Sequence, residues 1–410
     1  MPEPQRIVIV GAGLAGATAA ATLRERGYAG EVVMLGSDRH PPYELPALSK
    51  ALLLGDRDEP AWVRDAGFYA DHDIQLYGGR TVTRLEPGAR RVHDDHAGSH
   101  RYDRLLLATG SRPRQLHVPG GKLPGVHTLR TLDDALALRT ALRDAERVVI
   151  VGAGWIGTEV AAAARKHGAD VTVVDLVRLP LQGVLGDEVA AVFRDLHTEH
   201  GVRWRLGTRV AEITGTDRVR AVRLEDGTEL PADVVVVAVG VEPRVDLAHT
   251  ASLDPADDGG IVVDAMLRTS VPDIYAVGDI ASHFHPRYGH RVRVEHWANA
   301  KDQGAHVAGN LLGADEPFLR SPYFFTDQYD GDRAIGCEYR GLADPVADKL
   351  VVRGDLDALE FVAFWLRNGR VRAAMNVNVW DYGEALDRIV DAQATLNEDA
   401  LKGEDLNSLG

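Results

Sequence analysis

One arrangement of residues occurs twice in this chain and restricts its fold more than any other feature. Arg6–Val10 is an apolar, strand-like run that leads into Gly11-Ala-Gly13-Leu-Ala-Gly16, after which an alanine-rich helical stretch stops at Gly27. Arg147–Val151 leads in the same way into Gly152-Ala-Gly154-Trp-Ile-Gly157, and its alanine-rich stretch stops at Gly168. Each capping glycine follows the third loop glycine at the same spacing, and glycine suits the left-handed turn that ends many helices. A second landmark repeats downstream. Asp103 opens a strand that runs to Thr109 and Gly110 and is followed by Ser-Arg-Pro113-Arg114. Asp233 opens another that runs to Gly240 and is followed by Val-Glu-Pro243-Arg244. Two halves that share these landmarks in order predict an α/β chain with two Rossmann-like dinucleotide-binding domains.

The glycines explain what such loops hold. The first makes a tight turn, the second lets the backbone approach a pyrophosphate, and the third lets helix and strand pack closely. The phosphates then rest on the helix N-terminus, where free N–H groups and the helix dipole favour negative charge. Gly11, Gly13 and Gly16, and again Gly152, Gly154 and Gly157, are therefore the expected contacts of two dinucleotides. An acid closing the next strand accepts from a ribose hydroxyl. Asp175 holds that place in the second half and repels a 2′-phosphate, which favours NADH over NADPH, although Arg178 stands close by. In the first half the nearest acid is Asp38, which is either an adenosine-ribose contact or a turn aspartate. Gly278-Asp279 ends a later strand, where a carboxylate can hold a ribitol, and so points to FAD. Thr109, Gly110 and Gly240, at the ends of the repeated strands, complete the expected cofactor contacts. A chain that binds both dinucleotides passes hydride from nicotinamide to flavin.

Alternating stretches over 74–92 and 202–230 predict small antiparallel meanders. Helical periodicity covers 297–312. Beyond Pro322, short strands at 334–337, 349–353, 361–366 and 371–379 and a helix near 382–392 predict a separate α+β domain, with the polar residues 396–410 frayed. The net charge of −15 argues against nucleic-acid binding. No run approaches the roughly 20 apolar residues of a membrane span and no leader opens the chain, so a cytoplasmic location is expected. The sole cysteine, Cys337, excludes an internal disulfide or a Cys-x-x-Cys motif, and no metal centre is expected. Residues 283–296 concentrate basic character. Arg287, Arg291 and Arg293 there either steer an acidic partner or belong to a solvated loop or dimer contact. A monomer and a homodimer both remain open.

Gly11 to Gly16, Pro42-Tyr43 through Leu48-Ser-Lys50, Ala108-Thr-Gly110, Gly152 to Glu159, Val277-Gly-Asp279, Glu295-His-Trp297 and Pro322 to Tyr329 together resemble the FAD-dependent, NADH-using ferredoxin reductases. The resemblance covers essentially the whole chain. It implies the glutathione-reductase fold, with an FAD-binding domain over 1–113 and 244–320, an NAD-binding domain over 114–243 and a C-terminal α+β domain over 321–410. It implies that Lys50 and Glu159 pair beside the flavin and nicotinamide rings, that Trp297 lies near the isoalloxazine and that Asp279 holds the ribitol. It also implies electron flow from NADH through FAD to a small iron–sulfur ferredoxin that supplies a cytochrome P450 or a ring-hydroxylating oxygenase. One departure is Pro46-Ala47, where the family has two prolines.

Disulfide reductases and flavin peroxidases of this fold carry a cysteine in the segment after the first half's second strand. Residues 41–50 contain none, so electrons must leave the flavin directly for an external acceptor. An NADH oxidase and a redox-regulated flavoprotein of the apoptosis-inducing-factor kind are the two alternatives.

Overall fold

A computed structural model describes residues 3–65, 67–331 and 333–409. They form two units. One comprises residues to Glu44, Ala61–Arg112 and Val241–Arg320, and the other Leu45–Pro60, Pro113–Gly240 and Ser321 onward.

The first unit is built on a five-stranded parallel sheet, in the order Ile274–Ala276, Arg104–Leu107, Arg6–Val10, Glu31–Leu35, Ile74–Tyr77. In its register Val10 pairs with Leu35 on one side and Leu107 on the other. Ile7, Val8, Ile9, Val32, Val33, Leu105 and Leu106 are fully buried, so these strands read as unbroken apolar runs, as a sheet covered on both faces requires. The helices Leu14–Glu25 and Trp297–Leu311 pack together in the same core. Three antiparallel strands, Val82–Glu86, Arg91–Asp94 and Ser99–Arg101, form the meander.

The second unit repeats the plan. Its parallel sheet runs Arg203–Leu206, Asp170–Asp175, Arg147–Val151, Val234–Val237, Val126–His127, with a meander over Val210–Gly215, Val219–Leu224 and Glu229–Pro231. Two stretches expected in the meanders lie elsewhere: Ile74–Tyr77 and Arg203–Leu206 are edge strands of the parallel sheets. Edge strands bury one side only, so they alternate much as meander strands do. Residues 45–60, expected with the first dinucleotide-binding domain, belong to the second unit, where Leu53 joins the core of Leu138, Leu142 and Val160.

The rest of the second unit is a five-stranded antiparallel sheet, ordered Tyr323–Gln328, Ile335–Gly341, Arg370–Val377, Glu360–Arg367, Lys349–Asp355. One face, with Ile335, Cys337, Tyr339, Trp365 and Met375, packs against Leu185, Val189, Phe193 and Leu196 of the helix Gln182–Glu199. The other face packs against the helix Gly383–Asp391 through Leu386 and Ile389. The end of the chain is not frayed as expected. Asn397 caps a helix over Glu398–Gly403 by accepting from the Ala400 N–H at 2.7 Å, and Leu401 and Leu406 are fully buried. Gly410 of that stretch lies outside the described residues.

Candidate active site

The two glycine loops have the same geometry. Gly11 has φ of 115° and Gly152 of 116°, in the region that favours glycine. A Cβ on Gly11 would lie 2.0 Å from the Ala108 carbonyl oxygen, and one on Gly152 would lie 2.2 Å from that of Ala238. On Gly16 or Gly157 it would lie 2.0 Å from the carbonyl oxygen of Gly11 or Gly152. The middle glycines differ: a Cβ on Gly13 or Gly154 would meet nothing within 4 Å. Each middle glycine is also an extended N-cap without a side-chain cap bond, leading the 12-residue helices Leu14–Glu25 and Trp155–Lys166. Open space thus stands before helix N–H groups that lack side-chain partners, which is what a pyrophosphate needs. The loops fit two dinucleotides.

The residues expected around the first loop lie in the first unit. The Asp38 carboxylate accepts from the His40 N–H at 3.0 Å and the Tyr43 hydroxyl at 2.7 Å. Thr109 Oγ1 donates to the Arg244 carbonyl at 2.6 Å, and the Arg244 N–H returns to Gly110 at 2.8 Å. Asp279 is buried in the turn Gly278–Ile280, while the Gly278 N–H donates to Gln303 Oε1 at 2.8 Å. Trp297 opens the helix that follows, half-buried, with the Lys301 ammonium 4.8 Å from its ring centre.

The basic segment is tied into the same unit. Arg287 donates to the Leu319 carbonyl, and exposed Arg291 donates to those of Val263 at 2.6 Å and Ser282 at 3.0 Å. Arg293 donates to the Asp279 carbonyl at 3.0 Å and pairs with Glu295 and Asp258. Its charge is therefore matched locally by carboxylates.

In the second unit Asp175 accepts from the Ala153 N–H at 2.6 Å and the Val177 N–H at 3.2 Å, tying the strand end to the glycine loop. Gly240, with φ of 92°, accepts from the Arg114 N–H at 3.0 Å. Lys50 and Glu159 meet at 2.7 Å, with side chains 15% and 5% exposed. Glu159 sits on the helix behind the second glycine loop and takes two further donors, Ser49 Oγ at 2.5 Å and Thr326 Oγ1 at 2.6 Å. A carboxylate this deep in protein is held ionised only by such donors and a counter-charge. The Lys50 ammonium also lies 5.5 Å from the Phe325 ring centre.

Ser49 and Thr326 were not singled out from the sequence. Their signal was faint: Ser49 precedes Lys50, and Thr326 and Gln328 share one face of a strand. Cys337 is 1% exposed in the sheet core, and burial pushes its thiol well above the ordinary thiol range. Such a thiol is not a nucleophile near neutral pH.

Comparison with known proteins places the chain in a family. Residues 5–304 match the family model of the pyridine nucleotide-disulphide oxidoreductases, and residues 323–409 match that of the reductase C-terminal domain. Rhodocoxin reductase of Rhodococcus erythropolis is 41% identical over 374 residues, 91% of this chain and 86% of that protein. The ferredoxin–NAD(+) reductase component of the anthranilate 1,2-dioxygenase system of Burkholderia cepacia is 41% identical over 389 residues, 94% of each chain. The crystal structure of a covalent putidaredoxin reductase–putidaredoxin complex matches with a TM-score of 0.92 at 37% identity, over 98% of this chain and 97% of that one. This chain belongs to the pyridine nucleotide-disulphide oxidoreductase family, whose members use FAD and NAD(H), and it carries the reductase C-terminal domain.

Proposed function

We propose that the chain is an NADH-dependent ferredoxin reductase: it takes hydride from NADH onto FAD and passes electrons to a small iron–sulfur ferredoxin that supplies a cytochrome P450 or a ring-hydroxylating oxygenase. One observation carries the reading. Two matching pyrophosphate cradles occur in a chain whose single thiol is sealed in a sheet core. Electrons then have no sulfur to visit and must leave for an outside acceptor.

Bound FAD supplies the conversion between a two-electron hydride and single electrons. Gly11, Gly13 and Gly16 receive its pyrophosphate, Asp279 its ribitol, and Thr109 and Gly110 border it, with Asp38 on the adenosine side. Trp297 lies near its ring system. Gly152, Gly154 and Gly157 receive the NADH pyrophosphate, with Gly240 beside them. Asp175 faces the adenosine ribose; its two N–H bonds leave lone pairs free, since a carboxylate offers roughly four acceptor sites. Lys50 and Glu159 hold each other ionised and orient the nicotinamide without giving up a proton.

An acidic ferredoxin docks by electrostatic steering at residues 283–296, where Arg287, Arg291 and Arg293 lie. Among the described residues no helix is long and apolar enough to cross a membrane. A place in the cytoplasm goes with the use of NADH. The test is steady-state cytochrome c reduction by NADH with and without candidate ferredoxins. A large ferredoxin-dependent increase is expected; rapid oxygen consumption that no ferredoxin alters would make the chain an NADH oxidase instead.

A further inference from the structure

A chain of hydrogen bonds leads away from Glu159 through the interior of the second unit. Thr326 Oγ1 meets Glu159 Oε1 at 2.6 Å, and Gln328 Nε2 meets Thr326 Oγ1 at 3.3 Å and Thr158 Oγ1 at 3.2 Å. Gln328 Oε1 meets His197 Nε2 at 2.8 Å, and His197 Nδ1 meets the Tyr329 hydroxyl at 2.6 Å. His197, Thr326 and Gln328 are all buried, His197 completely. Neither glycine loop uses them.

These bonds have one consistent direction. An ionised carboxylate only accepts, so the Thr326 hydroxyl donates to it. Thr326 then offers only lone pairs to Gln328, which must turn its NH₂ there and its carbonyl toward His197. That carbonyl requires a proton on Nε2, which leaves Nδ1 to accept from Tyr329. Every bond from Tyr329 onward therefore points at Glu159, and bonds aligned in this way polarise one another in a low-dielectric interior. Burial keeps both ends in the states required. Desolvation, with the His200 charge adding and the Gln328 bond opposing, draws His197 down to about 4, and desolvation raises the Tyr329 hydroxyl. The ring is neutral and the phenol keeps its proton at neutral pH.

We propose that His197 is a positioning residue which, through Gln328 and Thr326, fixes the Glu159 carboxylate, its neutral ring carrying the proton on Nε2. This rests on the reading of Glu159 as the group that orients the nicotinamide. The rival role is packing alone, since the ring also stands edge-on to Trp204 at 5.8 Å.

Two measurements on the holoenzyme separate the roles. In ¹⁵N NMR of histidine-labelled protein, His197 is expected as the Nε2–H tautomer at neutral pH, because the Thr326 and Thr158 hydroxyls, which donate to Glu159 and to the Trp155 carbonyl, both draw the Gln328 NH₂ away from the ring. An Nδ1–H tautomer or a doubly protonated ring overturns the proposal whatever the activity. In stopped-flow reduction by NADH, His197→Leu is expected to slow the reaction about three- to tenfold with FAD content unchanged. His197→Gln, which keeps an N–H at the Nε2 position, recovers most of that rate, and His197→Leu adds nothing in a Thr326→Val background. Equal losses in the Leu and Gln variants, or additivity with Thr326→Val, mean packing only. Loss in Glu159→Gln without loss in His197→Leu overturns the positioning role alone. No loss in Glu159→Gln removes the Glu159 reading and the positioning role with it.

Discussion

Replacing Glu159 by glutamine keeps the shape of the side chain and removes its charge, so it isolates what the carboxylate does. Three donors converge on Glu159: Lys50 at 2.7 Å, Thr326 at 2.6 Å and Ser49 at 2.5 Å. Glutamine has one acceptor oxygen, so one donor at least loses its partner and Lys50 loses its counter-charge. Breaking a buried pair costs about 3–5 kcal/mol; because 15% of the Lys50 side chain still reaches solvent, about 2–3 kcal/mol is the better figure here. If half of that is felt in orienting the nicotinamide, hydride transfer slows about tenfold. The assay is anaerobic stopped-flow bleaching of the flavin by NADH, with FAD content measured on the same sample. Lys50→Met and the double variant complete a cycle. Two partners of one pair give a double variant little worse than the worse single, with a coupling of about 1.5–3 kcal/mol. Strictly additive losses, or unchanged reduction by NADH, would refute the claim that the pair acts as a unit on the coenzyme.

The middle glycines allow a test in which folding and binding part company. Gly13→Ala is expected to fold, since its Cβ meets nothing, yet to bind FAD weakly; Gly154→Ala is expected to keep FAD and lose NADH affinity, both read by absorbance and titration. Gly16→Ala, with a Cβ 2.0 Å from a carbonyl oxygen, is expected to lower soluble yield and melting temperature instead. Cys337→Ala is expected to leave turnover unchanged and to cost about 1 kcal/mol in urea unfolding, because the thiol fills core space only. Ferredoxin-dependent turnover is expected to fall steeply with salt, and Arg291→Glu to raise the KM for ferredoxin while leaving that for NADH alone. Stability is expected to decline in mild acid. Burial draws His197 and His296 from 6.5 to about 4 and His283 to about 3, so the unfolded chain binds more protons than the folded one below pH 6.5. The loss is about 1.4 kcal/mol per pH unit for each histidine, from pH 6.5 down to those values, and urea titrations across that window check its sign.

The dinucleotide loops were legible in the chain because the backbone demands glycine at Gly11, Gly16, Gly152 and Gly157: no other residue lacks the Cβ that would strike a neighbouring carbonyl. A requirement imposed by near neighbours leaves a local signature. The edge strands Ile74–Tyr77 and Arg203–Leu206 were misplaced because alternation reports one buried face, not the direction of the partner strand. The strand Tyr323–Gln328 was passed over because its burial alternates only in its second half. The tail looked frayed because Leu401 and Leu406 are isolated among polar residues, and only the sheet they pack on gives them a purpose. The company around Glu159 was hidden for another reason. Ser49 and Thr326 lie 110 and 167 residues from it, and an ordinary serine or threonine gives no sign of a carboxylate that far along the chain.

When the purified holoenzyme is titrated anaerobically with NADH, about one equivalent per bound flavin should complete the bleaching, and Cys337→Ala should give the same end point. A requirement for a second equivalent, lost in Cys337→Ala, would show a sulfur acceptor in the path and contradict direct exit of electrons from the flavin.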